Sequence, residues 1–447
     1  MTSQLAFPRQ TETGRYPLAR LAGADQLVPL VQGGRVRYAN LDYAASAPAL
    51  ESVAALVTEV LPLYASVHRG AGYASQVCTA AYEAARSETA AFVGARPDDV
   101  AIFTRNTTDA LNLLAAAVPG PVVHLDIEHH ANLLPWRGRV IPAQATLAAT
   151  LGAVEAELAR CPAALLAVTG ASNVTGECLP LDRLAVIAHR HGARLAVDGA
   201  QLVPHRRVDI CATGVDYLAS SGHKMYAPFG AGALVGRRDW LDAAPPHLAG
   251  GGAVREVTVD AVQWASAPAR HEAGTPNVIG AVAMAAACRA LAELPADAVA
   301  AHESSLLSRL TEGLAEVGAR VYRIWPDTVE QVPVVSFAVN GIPAGRVAAY
   351  LSAEHGIGVR DGRFCAHPLL ARLDADGGAV RVSLGLGSQA DDIDRLITAL
   401  ESLRTEGPVW NYTADHRPSP DTRPMPDWAP ASVAGAAACA QESVVPA

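Results

Sequence analysis

The chain has no surplus of basic charge. Its 447 residues carry a formal net charge of -9, so it lacks the basic stripe that a nucleic-acid surface requires. Charge of either sign is scarce, at 18% of residues, while half the residues are hydrophobic. Such a balance excludes global disorder, because enough apolar surface can be buried to offset the entropy of ordering the chain. Uncharged stretches such as residues 273–288 are too short, and too often broken by Gly and Pro, to span a bilayer. The start, Met1-Thr2-Ser3-Gln4, does not show the basic-then-apolar order of a secretory signal. There are seven cysteines, an odd number with no CxxC pair, which fits reduced thiols rather than a disulfide framework or a zinc site. No GxGxxG follows the first strand, which removes the signature of a nicotinamide-dependent oxidoreductase. Internal repeats are absent as well. A soluble, cytoplasmic chain is expected, with no membrane or nucleic-acid partner and with length for two or three domains.

What is present alternates. From about residue 40 to 290, short apolar strands and amphipathic helices take turns, the pattern of a mainly parallel sheet covered on both faces. Residues 181–191 read as one such helix, with Leu184, Ile187, Ala188 and His191 on one face and Gly192 placed to end it. Another opens at Thr107-Thr108-Asp109 and turns Leu111, Leu114 and Val118 toward the core. Past 290, a long helical stretch gives way to strands at 332–339 and 380–384, a smaller α/β lobe. Beyond Arg404 the composition shifts to Pro, Trp and Asp. The expected division is a large domain over 36–290, a small domain made of 1–35 and 291–404, and a Pro-rich tail over 405–447. The tail is expected to lie extended on the surface, with its last dozen residues disordered.

Two strands end in groups that carry chemistry. Leu195-Ala196-Val197-Asp198-Gly199-Ala200-Gln201 puts a carboxylate at the end of one, and Tyr217-Leu218-Ala219 leads into Ser220-Ser221-Gly222-His223-Lys224. Carboxyl ends of strands are where open α/β sheets bind ligands. A lone lysine is ordinarily a surface residue, and an aspartate after a strand is ordinarily a helix cap. Together they suit pyridoxal 5'-phosphate (PLP). Lys224 is placed to be the Schiff-base lysine. Asp198 would keep the ring nitrogen protonated so that the ring accepts electrons. Gln201, one helical turn on, would bond the ring's phenolic oxygen, and Ser221 and His223 suit a phosphate. Thr107 and Thr108 offer hydroxyls and free N–H groups at a helix start, a phosphate cradle, or serve as a plain cap. His129, in Asp126-Ile127-Glu128-His129-His130-Ala131-Asn132, is a loop histidine or stacks on the ring and transfers protons. With His130 beside it, a metal pair lacks a third ligand, so no metal is expected. Asn173, in Ser172-Asn173-Val174-Thr175-Gly176, is a turn residue or a further ring contact.

Asn106-Thr107-Thr108-Asp109-Ala110-Leu111-Asn112, Glu128-His129-His130-Ala131-Asn132-Leu133-Leu134-Pro135-Trp136, Val197-Asp198-Gly199-Ala200-Gln201 and Ser221-Gly222-His223-Lys224 resemble the class V aminotransferase family. The likeness runs over residues 41–403 and is strongest to the group II cysteine desulfurase and selenocysteine lyase branch. The resemblance implies the α/β fold of fold-type I PLP-dependent transferases: a large domain around a mainly parallel, seven-stranded sheet, plus a smaller α/β domain. It further implies a homodimer with sites at the subunit interface, where Thr275 of Gly274-Thr275-Pro276-Asn277 reaches the phosphate of the other subunit. Arg381, in Val380-Arg381-Val382-Ser383-Leu384-Gly385, matches the arginine that grips a substrate α-carboxylate, a task that suits its planar fork. Arg360 is a second cation on the substrate side.

Cys365, in Val359-Arg360-Asp361-Gly362-Arg363-Phe364-Cys365-Ala366-His367-Pro368, falls on the loop whose cysteine takes sulfur from the substrate in that family. A cysteine between Phe and Ala is otherwise a small buried residue; here Arg360 and Arg363 would favour its thiolate. The family pattern has two histidines before this cysteine and glutamine two after it, whereas Arg363, Phe364 and His367 stand in those places. The implied activity is that of a cysteine desulfurase-like enzyme. It would act on L-cysteine or a related sulfur or selenium amino acid, release alanine, and pass sulfur to Cys365 and on to a possible acceptor protein. The alternative is a C–S lyase, which eliminates to pyruvate, ammonia and a thiol or sulfide without using Cys365. An epimerase or aminotransferase ranks third.

Overall fold

Seven strands form the sheet of residues 99–237 in a computed structural model that describes residues 13–429. They are β1 (Asp99–Thr104), β2 (Val122–Leu125), β3 (Gly138–Ile141), β4 (Leu165–Thr169), β5 (Arg194–Asp198), β6 (Tyr217–Ser221) and β7 (Gly232–Arg237), in the spatial order β1-β7-β6-β5-β4-β2-β3. Neighbours from β6 across to β3 are parallel, and β7 runs antiparallel between β1 and β6. The mainly parallel sheet expected from the alternating pattern is therefore present, with the seven strands that the resemblance implies. Its strands are apolar at successive positions because both faces are covered. Leu166, Val168, Leu195 and Val197 enter one apolar layer, while Leu165, Ala167, Ala196 and Ala219 enter the opposite one, the period of two that a strand imposes.

The helix Thr107–Ala117 starts at an Asn106 cap that accepts the Asp109 N–H, and it buries Leu111 and Leu114. Val118 lies just past its end and is only partly buried. The helix Leu181–Arg190 ends at His191, with Gly192 at φ +74° to reverse the chain.

A second sheet, wholly antiparallel, joins Arg320–Val321, Val334–Ala338, Ala379–Ser383 and Arg360–Gly362 in that order. With the helices Ala296–Glu316, Ala344–His355 and Ala390–Thr405 it forms its own core of Leu310, Phe337, Leu351, Val380 and Leu396. The expected boundary at residue 290 falls inside the helix Val278–Glu293, and the chain breaks at Leu294 and Pro295. That helix is Ala-rich and buried along most of its length, so no change of polarity marks where it ends. The N-terminal segment reaches the second sheet through Ala39–Asn40, which pairs in parallel with Ile357–Gly358, and through Asp42, which bridges to Ser383.

Residues 405–429 run as a strap over the helix Ala344–His355. The Glu354 carboxylate accepts the Val409 and Trp410 N–H groups and the Tyr412 hydroxyl, and Arg423 donates to Ser352 Oγ. The expected disorder of the last dozen residues lies outside the described range. Among the described residues no single helix is long and apolar enough to cross a membrane, no cluster of His, Cys, Asp or Glu could hold a metal, and the six cysteines are free.

Candidate active site

Because β5 and β6 are parallel neighbours with Asp198 opposite Ala219, their carboxyl ends deliver Asp198 and Lys224 to one edge. Asp198 is buried and accepts the Ala200 N–H at 3.0 Å; burial raises its carboxyl, opposed by Ala200 and by Lys224. Lys224 sits on the short turn Gly222–Lys224 after β6. Burial lowers its amine to about 8, against the pull of Asp198, and the nearby charges of Arg381, Cys365 and Asp42 act on it as well. One further signal was available in the sequence and went unread: Lys224 is the only lysine, and every other member of the Lys+Arg total of 35 is arginine.

At the start of the helix Thr107–Ala117, the Thr107 N–H and hydroxyl both meet Ser221 Oγ at 2.7 Å, all of it buried. This ties an eleven-residue helix N-terminus to the end of β6, the arrangement expected of a phosphate cradle. Thr108 follows it but is exposed. His223 is half-buried, and burial, aided by Lys224, lowers its imidazole to about 4. Gln201 lies on a turn, not a helix, since residues 200–205 bend back on Gly199 and Leu202 instead of propagating; its side-chain amide donates to the Ala44 carbonyl at 2.8 Å.

His129 caps a short helix, and its Nδ1 accepts the Ala131 N–H at 3.0 Å, which places the ring proton of the neutral form on Nε2. Burial first, then the charge of Lys224, lowers it to about 3, so the ring is neutral at physiological pH. Behind it, fully buried Glu128 accepts from Asn132 Nδ2 at 2.7 Å, and Trp136 Nε1 donates to both the carbonyl and the side-chain oxygen of Asn132. Burial raises the Glu128 carboxyl to about 8. Sequence reasoning missed this chain: the helix there is only His130–Leu133, and Glu128 and Trp136 lie outside it on either side.

Arg381, on the strand Ala379–Ser383, is 4% exposed. It donates to the Asn173 carbonyl and to Asp42 Oδ1, each at 3.0 Å, while its Nε is buried and finds no partner among the described residues. A buried orphan donor costs about 1–3 kcal/mol, a penalty that a bound carboxylate would remove. Burial lowers the Arg381 guanidinium, the Asp42 charge opposes this, and Arg360, opposite it in the sheet register, adds to the lowering. Asp42 went unnoticed in the sequence, where nothing local marks it.

Asn173 does not keep its amide free for a ring. Its Nδ2 donates to the Phe364 carbonyl at 2.8 Å, because the cysteine loop folds over it. Cys365 is exposed rather than buried, and both Phe364 and Cys365 are left-handed, at φ +53° and +52°. The Cys365 carbonyl accepts the His130 N–H at 2.8 Å, and the His130 and His367 rings meet edge to face at 4.6 Å. Arg363 donates its Nε to the Asp376 carbonyl. Thr275 is exposed, and no hydrogen bond among the described residues ties it to the Lys224 cluster.

An amine, a carboxylate at a strand end, a hydroxyl pair on a helix N-terminus and an orphan guanidinium N–H together fit the aldehyde, ring nitrogen and phosphate of PLP and the carboxylate of an amino acid. Residues 39–396 match the family profile of class-V aminotransferases. The chain belongs to that family, and as a member it is a PLP-dependent enzyme. A cysteine desulfurase of Dickeya dadantii is 37% identical over 416 residues, covering 87% of this chain and 97% of that protein. The structure of a cysteine desulfurase from Thermococcus onnurineus NA1 in its apo form superposes with a TM-score of 0.75 at 32% identity, covering 82% of this chain and 94% of the other. An Escherichia coli cysteine desulfurase in its S-sulfonic acid form gives a TM-score of 0.72 at 33% identity, over 81% and 94%. The strap over residues 405–429 lies beyond the segment that the class-V profile matches.

Proposed function

We propose that this class-V enzyme is a cysteine desulfurase that uses PLP to release alanine from L-cysteine, or from a related sulfur or selenium amino acid, and leaves the sulfur on Cys365. One observation carries the reading: Cys365 is exposed on a turn whose Phe364 carbonyl accepts from Asn173, and the Asn173 carbonyl accepts in turn from Arg381, so the cysteine loop folds over the substrate side of the site. When bound, PLP supplies an electron sink for the substrate α-carbon. Thr107 and Ser221 would hold its phosphate together with Thr275 of the partner subunit in a homodimer. Asp198 would face the ring nitrogen, and His129 would lay a neutral ring against the cofactor. Arg381 takes the substrate carboxylate on its free Nε. Lys224, whose amine is lowered to about 8 by burial, would move a proton at the substrate α-carbon. The Cys365 thiolate then forms an S–S bond to the substrate sulfur as the substrate C–S bond breaks. The electron pair stays with the β-carbon, which takes up a proton, and alanine leaves. The persulfide passes its sulfur to an acceptor protein, in the cytoplasm on this reading.

The C–S lyase reading is favoured by one observation, the replacement of the loop's usual polar residues by Arg363, Phe364 and His367. Incubation with L-cysteine and a reductant, followed by quantifying alanine and pyruvate, separates the two. Alanine is the expected product, and it is expected to vanish in Cys365→Ala. Pyruvate that survives this substitution overturns the desulfurase.

A further inference from the structure

Three contacts close a circuit between the arginine that binds the carboxylate and the cysteine that accepts sulfur. Arg381 Nη1 donates to the Asn173 carbonyl at 3.0 Å. Asn173 Nδ2 donates to the Phe364 carbonyl at 2.8 Å. The buried Phe364 ring returns to the start, with its centroid 5.1 Å from the Arg381 guanidinium carbon. Cys365 is the next residue. Both it and Phe364 hold left-handed backbones, which non-glycine residues keep only where the surroundings over-determine them. The surroundings here are the two hydrogen bonds to their carbonyls, from Asn173 and from His130, and the seat of the Phe364 ring on Arg381.

We infer that Phe364 is a positioning residue that couples occupancy of Arg381 to the placement of Cys365. The inference rests on the functional reading above, in which Arg381 receives the substrate carboxylate. A bound carboxylate neutralises the guanidinium and weakens its attraction to the ring face. The Phe364–Cys365 turn is then released, and the thiol moves only when an amino acid is in place.

The test uses the holoenzyme and L-alanine, which carries the amine and carboxylate but no sulfur. The alkylation rate of Cys365 by iodoacetamide is followed by peptide mass spectrometry, with exposed Cys211 as the internal reference. In the parent, saturating L-alanine is expected to speed Cys365 alkylation about threefold, the size of one cation–π contact, and to leave Cys211 unchanged. Phe364→Tyr keeps the aromatic face and is expected to keep the effect. Phe364→Leu keeps the bulk and is expected to lose it, with Cys211 still at its parent rate as the sign of an intact fold. A speeding confined to the aromatic forms supports the coupling, and a slowing of Cys365 alkylation by L-alanine overturns it. An effect equal in Phe364→Leu and the parent, or none in either, overturns it. If L-alanine leaves the cofactor's visible band unmoved in the parent, the reading of Lys224 and Arg381 falls, and the coupling with it.

Discussion

At the carboxyl edge of the seven-stranded sheet, Asp198 and Ser221 end paired strands, Lys224 follows on a tight turn, and Thr107 opens a capped helix bonded to Ser221. At the rim of the four-stranded sheet, Cys365 rides instead on a turn of two left-handed, non-glycine residues, exposed and held by long-range contacts. The first region spends its polar groups on fixed geometry, and pKa values there shift chiefly through burial. The second region stores backbone strain that only its neighbours sustain. On the proposed reading the difference separates two tasks: the sheet edge would hold a cofactor whose chemistry many reactions share, and the rim would determine which bond breaks afterwards.

The contrast can be broken most severely at the sheet edge. Lys224→Ala is expected to lower turnover by about 10²–10⁴-fold, the range of a lost general base, and to abolish the visible band of the covalently linked cofactor. Borohydride reduction followed by peptide mapping checks this directly; a band that survives in the variant would remove Lys224 from its role. Between the regions, Arg381→Lys keeps the charge but loses the fork. It should lower kcat/KM for L-cysteine by about 10- to 100-fold, as expected for a charged hydrogen bond, while the cofactor band stays intact. A band lost along with affinity would show that Arg381 belongs to the cofactor half instead.

The smallest effect tests the support beneath His129. The folded Glu128 carboxyl is pushed to about 8 from an ordinary 4.5, so the folded state keeps a proton that the unfolded chain releases between those values. The parent should therefore lose stability as pH rises through that window, and Glu128→Gln should not. Thermal melts are expected to favour the variant increasingly, by a few degrees, between about pH 5 and pH 9. A gap that stays flat with pH would mean that Glu128 is ionised in the fold.

The sheet edge was readable because its signals are local. An apolar strand ending in Asp198, and another running into Ser221 and Lys224, each announce themselves within a few residues, and the helix at Thr107 carries its own cap. The rim was not readable to the same degree. Asp42 and Arg381 meet across 339 positions of sequence, and the Asn173 amide meets the Phe364 carbonyl across 191. Left-handed backbones at Phe364 and Cys365 leave no glycine to betray them. The expected domain boundary at residue 290 lacks a local mark for a related reason: the helix Val278–Glu293 that spans it is buried along most of its length, so no polar stripe shows where it stops.

A chain with a single lysine has one side-chain amine, and on the proposed reading that amine is taken up in attaching the cofactor. Reagents that couple to primary amines should therefore leave the side chains of residues 1–447 unlabelled in the loaded enzyme. Loss of that selectivity, read as label arriving at position 224, would report the fraction of molecules that have shed their cofactor.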